Sequence, residues 1–263
     1  MTTFHKFHGT GNDFIMLDGR HLKSSLSPHT IASLCHRRFG IGADGLIIVN
    51  THPETDFEMT YYNADGSLAK MCGNGARCAV AFSYMNGLTG SKIRFLAGDG
   101  FHTACVEQVN GKSWTVEISM GDTLIPEVSP SGTEINTGTQ HLVNIVENIE
   151  IIDTVAEGRK IRYSDKYKSE GINVNWMCIE NDSIQVRTYE RGVEDETLSC
   201  GTGVTACALI ASLLKGKNEW KIETAGGSLK VTSETNGRYF TNIRLSGPAV
   251  MAYRGEVYIA ECE

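Results

Sequence analysis

The chain carries the stretch CGNGARCA at residues 72–79, and a closely similar stretch, CGTGVTACA, stands 128 residues later at 200–208. The flanks repeat as well. An alternating run with tyrosine near its end precedes each stretch, and a Lys-Ile pair follows each and leads to Ala-Gly at 97–98 and 225–226. In a chain of 263 residues this offset is close to half the length. The repeat therefore predicts two copies of one structural unit.

Both copies have the same order of predicted elements. Alternating apolar residues predict a strand pair before each Cys-Gly turn, at 46–50 with 57–62 and at 174–180 with 184–189. A helix is predicted after each turn, at 74–86 and at 202–215. Small and apolar residues surround most of each helix, which is typical of a helix buried inside a curved sheet. Asn-Gly steps at 110–111 and 236–237 then predict one hairpin in each copy, because both residue types tolerate positive φ.

These patterns predict an α+β fold of two pseudo-symmetric domains, each a curved, mostly antiparallel sheet or open barrel around a central helix. The predicted halves are residues 1–120 and 121–249. The stretch 121–138, rich in Pro, Ser, Thr and Gly, is interpreted as the connection between them. Alternation in 250–260 predicts a final strand in the C-terminal segment 250–263, with the N-terminal half as its candidate docking place.

Composition excludes several classes of protein. The net charge is −7, which argues against a generally basic nucleic-acid binder. No apolar run reaches the ~18 residues that a membrane-spanning helix needs. Residues 1–11 are polar and lack the apolar core of a signal peptide. We therefore expect a cytoplasmic protein with neither a nucleic-acid nor a membrane partner.

The eight cysteines and eight histidines predict neither a disulfide framework nor a metal site. No two cysteines have Cys-x-x-Cys spacing, and the histidines are scattered. The glycine pattern at 40–45 resembles a dinucleotide fingerprint, but a predicted strand follows it where a helix is required. The sequence therefore predicts no cofactor and no metal. Six cysteines are expected to be structural or surface thiols: Cys35, Cys78, Cys105, Cys178, Cys207 and Cys262.

Cys72 and Cys200 differ from these six because each stands immediately before a predicted helix. The N-terminus of a helix has unpaired backbone N–H groups and a partial positive charge. A thiolate there is stabilised, and its pKa can fall from ~8.5 to about 3.5–7.5. The same N–H groups bind carboxylates well, and the glycines of the turn allow a ligand to approach the backbone closely.

Two such turns suit the inversion of a carbon stereocentre that bears a hydrogen. This reaction needs a base on one face of the carbon and an acid on the other, since a single base tends to return the proton to its original face. One thiolate and one thiol meet the requirement by general acid–base catalysis. The helix ends would also stabilise the charge that develops on the adjacent carboxylate. Cys72 and Cys200 are thus the predicted catalytic pair.

Five motifs together resemble the signature of the diaminopimelate epimerase family. In order they are HGTGNDF at 8–14, GIGADG at 40–45, NADGS with MCGNGARC at 63–78, NVNW at 173–176, and YERG leading to SCGTG at 189–203. The resemblance implies a cofactor-independent enzyme that converts LL-2,6-diaminopimelate to the meso form, in lysine and peptidoglycan precursor biosynthesis. It also implies that the protein forms a homodimer. Its expected ligand is the small-molecule substrate diaminopimelate.

The resemblance assigns roles by position. The acid–base pair is Cys72 and Cys200, and His141 and Glu190 are candidates for assisting the thiols. The remote amino-acid group of the substrate would be held by Asn12, Asn63, Asn173, Glu190 and Arg191. The reacting carboxylate would be bound by Gly73, Asn74, Gly201 and Thr202. A planar guanidinium suits the distal carboxylate in particular. One segment departs from the family pattern, with GTQH at 138–141 where Gly-Asn-Pro-His is usual.

Two rival functions stay open from the sequence. Another cofactor-independent racemase, such as a proline racemase, also has paired cysteine turns. Such enzymes typically carry His where this chain has Asn74, and they lack the run at 189–192. A non-catalytic amino-acid-binding or thiol-redox module is the rival of a different class. Exchange of the substrate α-proton separates that module from an enzyme.

Overall fold

The computed structural model describes residues 1–259, which fall into two compact units. Unit 1 is Met1–Ile118 together with the residues from Gly247 onward, and unit 2 is Ser119–Ser246. The end of the predicted C-terminal segment, 260–263, lies outside the described residues, and so does Cys262.

Two helices and the first eight strands come before Met120. They are β1 (Thr2–Gly9), β2 (Asn12–Asp18), α1 (Pro28–Cys35), β3 (Gly45–Asn50), β4 (Phe57–Asn63), β5 (Leu68–Ala69), α2 (Gly73–Met85), β6 (Lys92–Ala97), β7 (Gly100–Asn110) and β8 (Ser113–Ser119), with a short 3-10 helix at Gly19–His21.

The remaining elements are β9 (Thr123–Leu124), β10 (Thr133–Asn136), β11 (Gln140–Ile145), α3 (Thr154–Arg162), β12 (Asn173–Glu180), β13 (Ser183–Glu190), β14 (Asp195–Thr197), α4 (Gly201–Lys215), β15 (Glu219–Thr224), β16 (Gly227–Asn236) and β17 (Tyr239–Val257). The two predicted strand pairs and both predicted helices are confirmed, and each helix begins one residue earlier than predicted.

In unit 1 the strands close into an eight-stranded barrel. Their order is β17-β1-β2-β3-β4-β6-β7-β8, and β8 pairs with β17 again through Gly247 to Val250. The pairs β2–β3 and β4–β6 are parallel, and the others in the ring are antiparallel. The final strand thus completes this barrel by pairing with both β1 and β8.

Unit 2 repeats this order with an open ring. Its strands follow as β9-β17-β16-β15-β13-β12-β11-β10, with β11–β12 and β13–β15 as the parallel pairs. Among the described residues no backbone ladder joins β9 to β10, although the two strands are in contact. The structure therefore confirms two similar α+β units with mostly antiparallel, barrel-like sheets.

Each barrel surrounds the helix that follows its Cys-Gly turn. Every residue of α2 from Gly73 to Ser83 is buried, and so is α4 from Val204 to Ala211. A second helix, absent from our predictions, covers the outside of each sheet: α1 packs on β2 and β3 in unit 1, and α3 packs on β12 in unit 2. Because helices cover both faces, β2 and β3 are apolar over continuous runs rather than in alternation.

The structure corrects two details of the sequence interpretation. The stretch 121–138 is not a plain connection, since it contains β9 and β10. The hairpins at 110–111 and 236–237 form as predicted, but only their glycines have positive φ, at 60° in both Gly111 and Gly237. The asparagine instead ends the first strand and the glycine is the first residue of a two-residue loop, as in a type II′ turn.

None of the helices within residues 1–259 is long and apolar enough to cross a membrane.

Candidate active site

Cys72 is the N-cap of α2 in unit 1. Its backbone is extended, with φ −137° and ψ 125°, while its carbonyl oxygen already accepts the N–H of Ala76 at 2.7 Å. The sulfur is half-buried and forms no disulfide. The thiol therefore lies beside the first N–H groups of the helix, where a partial positive charge favours the thiolate.

Asn12 and Asn74 lie beside this sulfur with fixed amide orientations. Asn12 Nδ2 donates to Asp44 Oδ2 at 2.8 Å, so Asn12 Oδ1 points the other way. That oxygen lies 3.5 Å from Cys72 Sγ and 3.4 Å from Asn74 Nδ2. Three of the predicted site residues are thus brought together in unit 1, and Asp44, which the sequence analysis assigned no role, orients one of them.

An ionic network holds Asp44 in place. Arg37 Nη2 contacts Asp44 Oδ1 at 2.6 Å and Asp13 Oδ1 at 2.8 Å, and Lys6 Nζ lies 2.8 Å from Asp13 Oδ2. Burial raises the pKa of Asp13, but hydrogen bonds from Arg37 and Lys6 outweigh burial and lower this pKa far below its usual range. Asp13 therefore stays ionised and holds Arg37 beside Asp44, whose Oδ2 orients Asn12 toward Cys72.

Arg77 is a fully buried cation at the base of this cluster, and the sequence analysis gave it no function. Its Nη2 donates to Asn74 Oδ1 at 2.8 Å and its Nη1 to Gly73 O at 3.3 Å. Thr10 Oγ1 and Pro248 O complete its neutral partners. Burial lowers the pKa of Arg77 to about 10, which still leaves it charged at neutral pH. The guanidinium therefore fixes Asn74 so that its amide Nδ2 faces Asn12.

Asn63 stands apart from these contacts. It ends β4 on the surface, where its Nδ2 donates to Ser67 Oγ at 3.0 Å. Its predicted role in binding stays a prediction.

Cys200 is the N-cap of α4 in unit 2 and has the same local conformation as Cys72. Its φ is −114° and its ψ 113°, and its carbonyl accepts the N–H of Val204 at 2.9 Å. Its sulfur lies 3.4 Å from Thr202 Oγ1. This hydroxyl in turn lies 2.9 Å from Nε2 of His141, a fully buried imidazole. His141 thus reaches the thiol through Thr202, and among its hydrogen bonds none goes directly to the sulfur.

Thr139 occupies the position where the family usually has asparagine. Its Oγ1 lies 2.9 Å from His141 Nε2 and accepts from Asn173 Nδ2 at 3.2 Å. The threonine therefore keeps a polar contact at this point of the site. Gln140 stands where the family usually has proline. It is the first residue of β11, and its side chain is exposed.

The amino-acid-binding candidates of unit 2 lie at the ends of two strands. Asn173 Oδ1 accepts the backbone N–H of Arg191 at 2.8 Å, and Glu190 Oε2 accepts from Thr197 at 3.0 Å. The exposed guanidinium of Arg191 donates to Glu170 O at 2.7 Å. A carboxylate and a guanidinium thus follow one another at the end of β13, a pairing suited to a zwitterion.

Gly203 shows why the second glycine of the turn is required in unit 2. A Cβ at this position would lie 2.5 Å from Asn175 Oδ1 and 3.3 Å from Cys200 Cβ. Asn175 is fully buried and contacts His141, but the sequence analysis mentioned it only as part of a motif. Its spacing of two from Asn173 on a strand places both side chains on one face, and this signal could have identified it.

The structure therefore assembles two clusters of candidate residues, one within each unit. Unit 1 groups Cys72, Gly73, Asn74 and Asn12, and unit 2 groups Cys200, Gly201, Thr202, His141 and Asn173, with Glu190 and Arg191 close along the chain. Within residues 1–259 no cluster of three or more His, Cys, Asp or Glu side chains could hold a metal ion.

Comparison with solved structures shows first which fold the chain has. A PhzF-family phenazine biosynthesis protein from Bacillus anthracis matches with a TM-score of 0.73 and 12% identity, over 98% of this chain and 99% of that one. A probable proline racemase from Agrobacterium radiobacter matches with a TM-score of 0.69 and 12% identity, over 99% and 94%. The chain has the two-unit fold that these proteins share.

Sequence comparison then identifies the family. The diaminopimelate epimerase family model matches residues 4–125 and 133–252. The diaminopimelate epimerase of Flavobacterium psychrophilum is 43% identical over 95% of this chain and 97% of its own length. That of Aquifex aeolicus is 42% identical over 81% and 82%. The chain belongs to the diaminopimelate epimerase family.

Proposed function

We propose that this protein interconverts LL-2,6-diaminopimelate and meso-diaminopimelate at one stereocentre: a thiolate removes the α-proton from one face of the carbon, and a second thiol delivers its own proton to the opposite face. Cys72 and Cys200 are the acid–base pair, one acting as thiolate and the other as thiol, with roles exchanged in the reverse direction. The observation that carries the proposal is the recurrence of one arrangement, a thiol outside any disulfide as N-cap of a buried helix, in both units of a chain of this family. No cofactor takes part in this chemistry.

The groups around the two thiols support separate roles toward the two ends of the substrate. The first N–H groups of α2 and α4, at Gly73, Asn74, Gly201 and Thr202, stabilise the reacting carboxylate as it gains charge. The distal ammonium and carboxylate, which do not react, are bound by Glu190 and Arg191 together with Asn12, Asn63 and Asn173. A substrate with one zwitterion would leave this second set unused.

The rival racemase function is less well supported by the comparisons. The probable proline racemase and this chain share the fold at 12% identity, whereas the diaminopimelate epimerases reach 43%. The chain also has Asn74, buried and fixed by Arg77, where proline racemases typically carry histidine. We further propose that the enzyme works in the cytoplasm as a homodimer and supplies lysine and peptidoglycan precursors.

Replacement of either catalytic thiol tests the proposal. In Cys72→Ala and in Cys200→Ala we expect formation of the meso isomer to fall by about 10²–10⁴-fold, the usual contribution of a positioned acid or base. Chiral chromatography of diaminopimelate after incubation measures it. Cys105→Ala is the matched control and should retain activity, because Cys105 lies within β7, where it pairs with Lys92, and begins no helix. Activity near the wild-type rate in either catalytic variant would contradict the two-thiol mechanism.

A further inference from the structure

A chain of hydrogen bonds in unit 2 links a buried amide to the sulfur of Cys200. It runs from Asn175 Nδ2 to His141 Nδ1 at 3.0 Å, from His141 Nε2 to Thr202 Oγ1 at 2.9 Å, and from Thr202 Oγ1 to Cys200 Sγ at 3.4 Å. Asn175 and His141 are both fully buried. Each hydrogen bond has one donor and one acceptor. Once the orientation of the group at one end is known, the donor and the acceptor of every bond along the chain follow.

Asn175 is that fixed end, because its amide has only one orientation that satisfies its neighbours. Nδ2 lies 3.1 Å from the carbonyl oxygen of Leu142, which can only accept. Oδ1 accepts the hydroxyl of Thr188 at 2.9 Å. Nδ2 is therefore the atom that faces His141, and as an amide nitrogen it can only donate.

The tautomer of His141 follows from this contact. Burial lowers the pKa of His141 to about 3, so the imidazole is neutral at neutral pH. A neutral imidazole carries one proton, and Nδ1 must accept from Asn175. The proton therefore resides on Nε2, which donates toward Thr202 and Thr139.

The direction of the Thr139 hydroxyl hydrogen then determines where the hydroxyl hydrogen of Thr202 points. Thr139 Oγ1 faces two donors, Asn173 Nδ2 and His141 Nε2, so its own hydrogen is directed to its remaining neighbour, Thr202 Oγ1 at 3.2 Å. With that oxygen accepting from both Thr139 and His141, the hydrogen of Thr202 is left for Cys200 Sγ. A hydroxyl that donates to a sulfur stabilises the thiolate over the thiol.

We propose that Asn175 is a positioning residue for Cys200, acting through His141 and Thr202 so that a hydroxyl hydrogen is presented to the sulfur. The proposal rests on the proposed function, in which Cys200 exchanges a proton with the substrate. When the thiolate takes the α-proton, the new S–H points toward the substrate carbon, and the sulfur, now a weaker acceptor, keeps the hydroxyl hydrogen of Thr202. No proton moves along the hydrogen-bond chain.

Two charged groups at the end of β13 are the same in the wild-type protein and in all the variants below, so their influence on the acidity of Cys200 is constant. Arg191 follows this strand and further lowers the pKa of His141, and Glu190 accepts from Thr197. Both residues are unchanged in those variants. A change in the acidity of Cys200 after substitution of Asn175 therefore reports the hydrogen-bond chain.

The first test needs only the wild-type protein. Nitrogen-15 NMR of the imidazole distinguishes the two neutral tautomers by the chemical shifts of the ring nitrogens. We expect His141 as the pure Nε2–H form and unprotonated down to about pH 5, well below the ordinary imidazole pKa of about 6.5. A proton on Nδ1 in the wild-type protein would overturn the proposal, whether or not any variant folds.

The second test reverses the chain with Asn175→Asp. A carboxylate can only accept, so at about pH 9, where the imidazole is neutral, we expect the proton of His141 to move to Nδ1. Nε2 then accepts from the hydroxyls, and Cys200 loses its donor. The alkylation of Cys200 by iodoacetamide, followed by mass spectrometry at pH values where the imidazole is neutral, should need a pH about one unit higher to reach the same rate, which corresponds to a tenfold loss of thiolate. Cys72, alkylated in the same sample, is the internal reference.

Thr202→Val shows whether the effect passes through the hydroxyl. We expect it to slow alkylation of Cys200 as much as Asn175→Asp does, with no further change in the double variant, whereas Thr202→Ser restores the wild-type rate. Thr133→Val, a buried threonine of β10 bonded to Ser129, is the control and should leave Cys200 unchanged. Additive effects, or an unchanged rate in Thr202→Val, would overturn the proposal. Alkylation does not require turnover, so failure of the proposed function would show separately, as absence of epimerisation.

Discussion

The imidazole of His141 is neutral because it is buried, and the cost of charging it links the stability of the fold to pH. Burial lowers its pKa to about 3 in the folded protein, whereas in the unfolded chain it has the ordinary value of about 6.5. Below about pH 6.5 the unfolded state binds the proton first, so folding becomes less favourable as the pH falls toward the folded-state pKa.

We therefore expect His141→Gln to flatten the acid side of the stability profile. Between about pH 6.5 and about pH 4.5 the wild-type protein should lose about 2 kcal/mol of unfolding free energy more than the variant does. Urea denaturation of both proteins at the two pH values measures the difference, in which the carboxylates common to both cancel. Equal losses in the two proteins would show that His141 is not buried in its neutral form.

At the scale of the residue, the sequence indicates the two candidate thiols more readily than the residues that orient the groups around them. Cys72 and Cys200 are predicted because a repeat places both before a helix, and a helix N-terminus has a general chemistry. Asp44 and Arg77 were not assigned because their roles depend on contacts with Asn12 and Asn74, made across the fold. Contacts of this kind, between side chains that only the fold brings together, cannot be inferred from a single sequence.

At the scale of the element, α4 and β12 approach each other at Gly203, and this contact predicts the effect of a single methyl group. A Cβ there would lie 2.5 Å from Asn175 Oδ1, well inside contact distance. We expect Gly203→Ala to lower the free energy of unfolding by about 1–3 kcal/mol, the usual cost of overpacking a core. Thermal or urea unfolding measures it.

Gly121→Ala is the matched control in the same unit, since a Cβ at Gly121 meets no atom within 4 Å. It should change stability by less than about 0.5 kcal/mol. Equal stability of the two variants would contradict the close packing of α4 on β12.

Strands and helices that carry a local sequence pattern were predictable. Elements that exist only through pairing with a distant strand were not. Helices α2 and α4 follow from composition and a helix-start signal, and the hairpins follow from their glycines. Strand β9 has two residues and is a strand only because Tyr239 and Phe240 pair with it. The outer helices α1 and α3 were missed although Ser27 and Asp153 cap their N-termini, a start signal that the sequence analysis did not use.

At the scale of the molecule, the repeat in the sequence corresponds to a repeat in topology. Each unit arranges eight strands in the same order with two parallel pairs at equivalent places, and each surrounds one helix that a cysteine begins. The equivalence ends at the helix position four residues after Gly73 and Gly201, where unit 1 has the buried cation Arg77 and unit 2 has Thr205. The two thiols therefore have different surroundings within one repeated frame.

The central claim is that this one chain inverts the α-carbon of diaminopimelate with its two thiols, and exchange in heavy water tests it most directly. Proton NMR follows LL-diaminopimelate incubated with the reduced protein in heavy water. The account predicts loss of the α-proton signal together with appearance of the meso isomer, and neither change in a protein that carries both Cys72→Ala and Cys200→Ala. Absence of exchange and of the meso isomer with the wild-type protein would contradict the account.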